Sequence, residues 1–124
     1  MKLLTLAPPL AGLAMAFALA SGAAAQHAPP GCFLTQDLRS HTVAGKDTIY
    51  LNVNGADTYQ LKTDEACLAH ATSHEPMVVK DLGLGTICHA HDIEVIVRGS
   101  HCHIDSLTKL SAAEASAIPK ALQP

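Results

Sequence analysis

The stretch GTICHAHDIEVIVRGSHCHIDSL, residues 85–107, carries the clearest strand pattern in the chain. Apolar residues recur along three short segments, 85–90, 93–98 and 101–107, which are separated by His91-Asp92 and Gly99-Ser100. Alternation over a few residues is typical of half-buried strands, and Gly-Ser suits a two-residue hairpin turn. The stretch therefore predicts three antiparallel strands in a meander.

The register of this meander restricts the disulfides. A turn at Gly99-Ser100 places Val97 opposite Cys102, and a turn at His91-Asp92 places Cys88 opposite Val95. Both cysteines then lie on the apolar, inward face but two strands apart, which is roughly 10 Å. A disulfide tolerates Cα separations only up to about 7 Å, so this register excludes a Cys88–Cys102 bond.

The outward face of the same strands is polar. His89, Glu94 and Asp105 form a row across the three strands, and His103 lies diagonal to Glu94. Two imidazoles and two carboxylates are a ligand set that suits Zn²⁺ or Cu²⁺. The alternative interpretation is a solvated polar surface with an ordinary cross-strand pair between His89 and Glu94.

A second hairpin is expected upstream, where the strand patterns TIYLNV (48–53) and DTYQLK (57–62) flank Asn54-Gly55. A two-residue Asn-Gly turn sets Tyr50 opposite Tyr59 and splits the apolar residues between two faces. A loop one residue longer aligns Ile49 with Leu61 and Leu51 with Tyr59 on one face. We prefer the longer loop because it buries the apolar side chains together.

The remaining segments complete a small β-rich domain. Residues 32–38 are expected to form a first strand, 64–71 a helical turn, and 77–79 a further strand within a loop. Ser111 and Glu114 have the spacing of a capping box that opens an Ala-rich helix ended by Pro119. We expect a mainly β fold with an α+β margin: a small antiparallel sheet or partly open barrel of five to six strands with a short C-terminal helix.

The N-terminus has the pattern of a secretory signal. Lys2 is followed by an apolar stretch, residues 10–20, and then by Ser-Gly-Ala-Ala-Ala. This order predicts cleavage after Ala25, which assigns 1–25 to a signal peptide, 26–30 to a flexible lead-in and 31–124 to one domain. An uncleaved anchor is the alternative, but Pro8-Pro9 interrupts such a helix. We therefore expect a periplasmic or secreted protein with no stable membrane span after cleavage.

All four cysteines, Cys32, Cys67, Cys88 and Cys102, follow the leader. An even number in a small exported domain is typical of a disulfide framework, and the chain has only two Phe, two Tyr and no Trp to build a core. Four cysteines can form two disulfides in three ways, and excluding Cys88–Cys102 leaves two of these pairings. We favour Cys32–Cys102 with Cys67–Cys88, which ties the two ends of the domain and anchors its central loop.

Other functions find little support in the composition. A net charge of −3 in 124 residues predicts no nucleic-acid binding. The chain has no G-x-S-x-G, H-E-x-x-H or P-loop motif, so catalysis is not indicated. His27, His41, His70 and His74 fall in expected loops, where no role is assigned to them.

An ordered set of short motifs resembles a family of small exported proteins of Gram-negative bacteria catalogued only as a domain of unknown function. The motifs are Gly31-Cys32-Phe33, Thr48-Ile49-Tyr50-Leu51, Tyr59-Gln60-Leu61, Cys67-Leu68, Ile87-Cys88, Asp92-Ile93, Cys102 and Leu107-Thr108-Lys109-Leu110. The resemblance implies a cysteine-bearing β domain behind a signal or lipoprotein leader, with no assigned activity. The histidines around Cys88 and Cys102 depart from the family pattern.

The first functional hypothesis is an exported, disulfide-stabilised structural or interaction domain without catalysis or cofactor, acting on a protein or envelope partner. The alternative is a periplasmic zinc- or copper-binding protein that uses His89, Glu94, His103 and Asp105.

Overall fold

The computed structural model describes residues 27–64 and 67–124, and the expected signal peptide, 1–25, lies outside the described residues. The strands are β1 Phe33–Leu34, β2 Leu38–Ala44, β3 Thr48–Val53, β4 Asp57–Thr63, β5 Met77–Asp81, β6 Thr86–Ile87, β7 Ile93–Val97, β8 Ser100–Cys102 and β9 Ile104–Lys109. One helix, α1 Ala112–Ser116, follows them. Strands make up 45% of the described part, which confirms the mainly β prediction. The nine strands found there exceed the five to six expected.

A four-stranded antiparallel sheet has the order β2-β3-β4-β9. Ile49 lies opposite Leu61 and Leu51 opposite Tyr59, so the longer-loop register is confirmed. The loop is made possible by positive φ angles at Asn54 and Gly55, 57° and 75°. All four paired side chains are at most 2% exposed, because the register places them on one buried face.

A three-stranded antiparallel sheet has the order β5-β7-β8. Its hairpin turn is Arg98-Gly99, with φ angles of 52° and 77°, and not Gly99-Ser100. The expected pairing of Val97 with Cys102 is therefore wrong, and Cys102 lies opposite Val95. Two consecutive positive φ angles favour Gly in the second position. The expected register of β7 against β8 is shifted by two residues. An even shift leaves the side chains of these two strands on their expected faces.

The expected meander is wrong at its first strand. β6 pairs with β1, Ile87 lying opposite Phe33, in a two-stranded sheet. The neighbour of β7 is instead β5, with Val79 opposite Val95. The chain leaves β6 through a 3-10 turn, Ala90–Asp92, which redirects it before β7 begins. Three small sheets result, none of which closes on itself within the described residues.

The chain crosses between the two larger sheets at His103. β8 ends at Cys102 in the three-stranded sheet, and β9 begins at Ile104, which pairs with Thr63 of β4. Apolar side chains from all three sheets meet in one core cluster of Phe33, Val43, Ile49, Leu51, Val53, Tyr59, Leu61, Leu68, Ile87, Ile93, Val95, Val97, Cys102 and Ile104. His103 therefore lies at the junction between the three-stranded and four-stranded sheets.

The disulfides are Cys32–Cys88 and Cys67–Cys102, so the favoured pairing of Cys32 with Cys102 and Cys67 with Cys88 is wrong. Cys32 precedes β1 and Cys88 follows β6, so the pairing of those strands brings the two cysteines together. Cys88 and Cys102 are not bonded to each other, as expected, although the meander that excluded the bond does not form. The bridges span 56 and 35 residues, and chain entropy assigns about 4 kcal/mol to each closure.

The C-terminal segment packs onto the four-stranded sheet. The predicted capping box is confirmed: the Glu114 N–H donates to Ser111 Oγ at 3.1 Å, and the Ser111 N–H donates to Glu114 Oε1 at 3.0 Å. The Thr42 hydroxyl donates to the Leu122 carbonyl at 2.5 Å and fastens the end of the chain to β2. Across residues 27–64 and 67–124, no helix combines the length and apolar character needed to cross a membrane.

Candidate metal centre

A first group of metal-ligating side chains follows β6. We call His89, His91 and Asp92 the turn cluster, since they flank and form the 3-10 turn after Cys88. Nδ1 of His89 lies 3.5 Å from Asp92 Oδ2, and Nε2 of His91 lies 3.4 Å from Asp92 Oδ1. The ligand atoms of all three residues lie within 4.8 Å of one another. A four-residue segment thus presents two imidazoles and a carboxylate to the same point.

Backbone donors hold the carboxylate of the turn cluster in place. The N–H groups of Cys88 and His89 both donate to Asp92 Oδ2 at 2.9 Å. These hydrogen bonds, that of Cys88 first, lower the pKa of Asp92 below its usual value. The Asp92 side chain is 28% exposed, whereas those of His89 and His91 are 70% and 81% exposed. An ionised, oriented carboxylate therefore lies beneath two accessible imidazoles.

The two imidazole rings of the turn cluster lie side by side. Their centroids are 5.2 Å apart and their planes differ by only 4°. With 70% and 81% of their side chains exposed, both rings are accessible to one ion approaching from solvent.

A second group lies where the chain crosses between the sheets. We call Asp64, His103 and Asp105 the crossing cluster. The Asp64 N–H donates to the His103 carbonyl at 3.2 Å, so the end of β4 and the crossing residue are direct neighbours. Nε2 of His103 lies 4.0 Å from Asp105 Oδ1, and the ligand atoms of the three residues lie within 4.8 Å of one another.

A surface cavity of about 390 Å³ lies between the two clusters. One histidine of each cluster lines it, His91 and His103, together with Glu94 and His101, whose side chains are joined by a hydrogen bond between Glu94 Oε1 and His101 Nδ1. Another cavity, of about 450 Å³, lies beside β1, and His27 is the one titratable side chain among the described residues that line it. A third, of about 400 Å³, is lined by Glu75 and Arg98 but by no histidine among the described residues. Of these three cavities, the one between the clusters has several histidines in its described lining.

The four residues expected to form one metal patch are distributed over three places. His89 belongs to the turn cluster, His103 and Asp105 belong to the crossing cluster, and Glu94 pairs with His101. The expected row of His89, Glu94 and Asp105 does not form, because β6 does not pair with β7 and because β9 leaves the sheet that contains β7. Metal binding by these residues stays a prediction.

Sequence reasoning missed His91, Asp92, Asp64 and His101 as members of these groups. The spacing His-x-His-Asp at 89–92 is a usable signal, since an aspartate three residues after His89 can accept its backbone N–H and turn the chain. Asp64 carries no such local signal, because its neighbour His103 becomes adjacent only through the pairing of β4 with β9.

The chain matches no family model, no curated protein and no solved structure. The resemblance to a domain of unknown function therefore stays a prediction. The two disulfides fit an extracellular or periplasmic location, where oxidising conditions preserve such bonds.

Proposed function

We propose that this chain is an exported, disulfide-stabilised, non-enzymatic domain that binds Zn²⁺ or Cu²⁺ at the turn cluster. The observation that carries the proposal is the convergence of His89, His91 and Asp92, whose ligand atoms lie within 4.8 Å of one another. Residues 1–25 act as a secretory signal that is cleaved after Ala25, which delivers the domain to the periplasm or the exterior.

The spacing of the ligand atoms supports a tetrahedral ion. Zinc bonds of about 2.0–2.1 Å to nitrogen and oxygen place neighbouring ligand atoms roughly 3.3 Å apart. The two imidazole nitrogens lie 3.5 and 3.4 Å from the carboxylate oxygens of Asp92. Both distances are close to this tetrahedral spacing, each to a different oxygen of the carboxylate, and all three ligand atoms lie within 4.8 Å of one another.

The ligand types support a late first-row metal. Imidazole is a good ligand for both zinc and copper, and a carboxylate can complete the protein's share of the coordination shell. Three protein ligands leave a fourth position for water or for a group of a partner. The backbone hydrogen bonds to Asp92 act as an outer shell that orients this carboxylate before the ion arrives.

The proposal is tested by titrating the processed protein with ZnCl₂ and CuCl₂, using calorimetry and the NMR signals of the histidine rings. Replacement of both His89 and His91 by Gln is expected to weaken the first equivalent at least about tenfold, since even outer-shell changes cost 10–100-fold. The matched control replaces His70 and His74, two exposed histidines outside both clusters, with Gln. Equal weakening by the two double variants, or small shifts spread evenly over all histidines, overturns the proposal.

A further inference from the structure

We infer that the crossing cluster is a second, independent site for a divalent first-row cation, and that the Cys67–Cys102 disulfide assembles it. Asp64, His103 and Asp105 bring their ligand atoms within 4.8 Å of one another. None of these three residues belongs to the turn cluster. Cation binding at the crossing cluster is therefore independent of cation binding at the turn cluster.

The backbone places the three ligands. Asp64 directly follows β4, His103 occupies the crossing between β8 and β9, and Asp105 is the second residue of β9. Thr63 pairs with Ile104, and the Asp64 N–H donates to the His103 carbonyl at 3.2 Å. Two chain segments distant in sequence thus supply one ligand group through a short stretch of paired backbone.

The ligand set differs chemically from that of the turn cluster. One imidazole and two carboxylates form a harder, more negative set than two imidazoles and one carboxylate. Such a set binds Zn²⁺ with less contribution from nitrogen, and it also accepts ions that prefer oxygen. We therefore expect the crossing cluster to bind the second, weaker equivalent of Zn²⁺.

The disulfide joins the two segments that supply these ligands. Cys67 lies three residues after Asp64, and Cys102 immediately precedes His103. The Cα atoms of the two cysteines are 5.9 Å apart. The bond ties Cys67 to the residue that precedes His103, so oxidation reduces the number of arrangements in which Asp64 lies away from His103, and part of the ordering cost is met before the cation binds. The turn cluster has no such requirement, because all its ligands come from residues 89–92.

The test is a calorimetric Zn²⁺ titration of the processed, oxidised protein and its variants. We expect two equivalents in the unaltered protein. Asp64→Asn and His103→Gln are expected to weaken the second equivalent at least about tenfold and to leave the first unchanged. The double variant His89→Gln/His91→Gln is expected to weaken the first equivalent and to leave the second unchanged.

The role of the disulfide is tested with serine pairs, since free thiols bind zinc themselves. Cys67→Ser/Cys102→Ser is expected to weaken the second equivalent at least about tenfold, whereas the matched control Cys32→Ser/Cys88→Ser leaves it within about threefold of the original value. Circular dichroism checks that both pairs are folded. If neither serine pair folds, Asp64→Asn is measured in the oxidised protein. Weakening of the second equivalent by this variant shows that Asp64, three residues before Cys67, is a ligand.

Two outcomes overturn the inference: no Zn²⁺ equivalent of the unaltered protein is weakened by Asp64→Asn and His103→Gln, or the two serine pairs weaken to the same extent the equivalent that those variants affect. A single equivalent that Asp64→Asn weakens and His89→Gln/His91→Gln leaves unchanged contradicts the proposed function and agrees with this inference.

Discussion

The Arg98 guanidinium forms two hydrogen bonds to the Glu75 carboxylate: its Nε lies 2.5 Å from Oε1, and its Nη2 lies 3.5 Å from Oε2. The N–H and the hydroxyl of Thr72 both donate to Oε2 at 3.1 Å. Glu75 is only 6% exposed, just before β5, whereas Arg98 occupies the turn between β7 and β8. The hydrogen bond from Arg98, followed by those from Thr72, lowers the pKa of Glu75 to about 2. The pair therefore links the segment before β5, at one edge of the three-stranded sheet, to the hairpin turn between β7 and β8.

The Glu75–Arg98 pair predicts a specific loss of stability in acid. The pKa of Glu75 falls from 4.5 to about 2 on folding, so its contribution is complete above pH 4.5 and is lost as the pH falls toward 2. Glu75→Gln is expected to lower the free energy of unfolding at pH 7 and to flatten its pH dependence across that window. Urea unfolding at a series of pH values measures both effects. Arg98→Ala is expected to flatten the pH dependence of the free energy of unfolding over the same pH range. If that dependence is unchanged in both variants, the prediction is wrong.

The core position Leu61 predicts a large cost for truncation. Its side chain is 0% exposed and lies opposite Ile49 in the four-stranded sheet. Leu61→Ala is expected to lower the free energy of unfolding by about 3 kcal/mol, because it removes buried methyl groups and leaves a cavity. The matched control is Leu84→Ala, at a side chain that is 101% exposed, for which we expect a change within about 0.5 kcal/mol. Denaturant unfolding compares the two, and similar costs disprove the assignment of Leu61 to the core.

The buried hydroxyl of Thr63 predicts a stabilising substitution. Thr63 is 4% exposed, and its Oγ1 has no hydrogen-bond partner among the described residues. Burying an unsatisfied polar group costs about 1–3 kcal/mol, so Thr63→Val is expected to raise the free energy of unfolding by about 1 kcal/mol. Thr108→Val, at an exposed position of β9, is expected to stay within about 0.5 kcal/mol. A loss of stability in Thr63→Val shows that the hydroxyl is hydrogen-bonded in solution.

The disulfide pairing predicts a definite peptide map. Tryptic cleavage after Arg39, Lys62, Lys80, Arg98 and Lys109 places each cysteine in its own peptide. Without reduction, 63–80 is expected to remain joined to 99–109, and 81–98 to the peptide that ends at Arg39. Mass spectrometry before and after reduction identifies the pairs. A species that joins 63–80 to 81–98 contradicts the structure.

The fold was predictable where contacts are local. Alternation and burial identified the hairpin of β3 and β4 and its register, because a shift of one residue moves Ile49 and Leu51 to the wrong face. The pairing of β7 was not predictable in this way. Its neighbour β5 is separated from it by residues 82–92, which include β6, and a hairpin with the adjacent residues 85–90 satisfies the same local pattern.

Half of the residues in the two clusters were predictable, and their grouping was not. His89, Glu94, His103 and Asp105 were predicted as ligands from residue type and from their expected places on the outward strand face. Three of them belong to one of the two clusters, Glu94 belongs to neither, and metal binding by any of them stays a prediction. Their separation depends on the chain crossing at His103 and on the turn stabilised by Asp92. The crossing follows from tertiary pairing, which the spacing of residues along the chain does not encode, whereas the turn has a local signal in the spacing His-x-His-Asp at 89–92.

The two disulfides interleave along the chain, since Cys67 lies inside the loop closed by Cys32 and Cys88, and Cys102 lies outside it. Both bonds consequently span every position between Cys67 and Cys88, including the loop that carries the fully exposed Leu84. A protease that nicks this loop leaves two fragments joined by two covalent links. Cleavage at such an accessible point therefore does not release either half of the molecule.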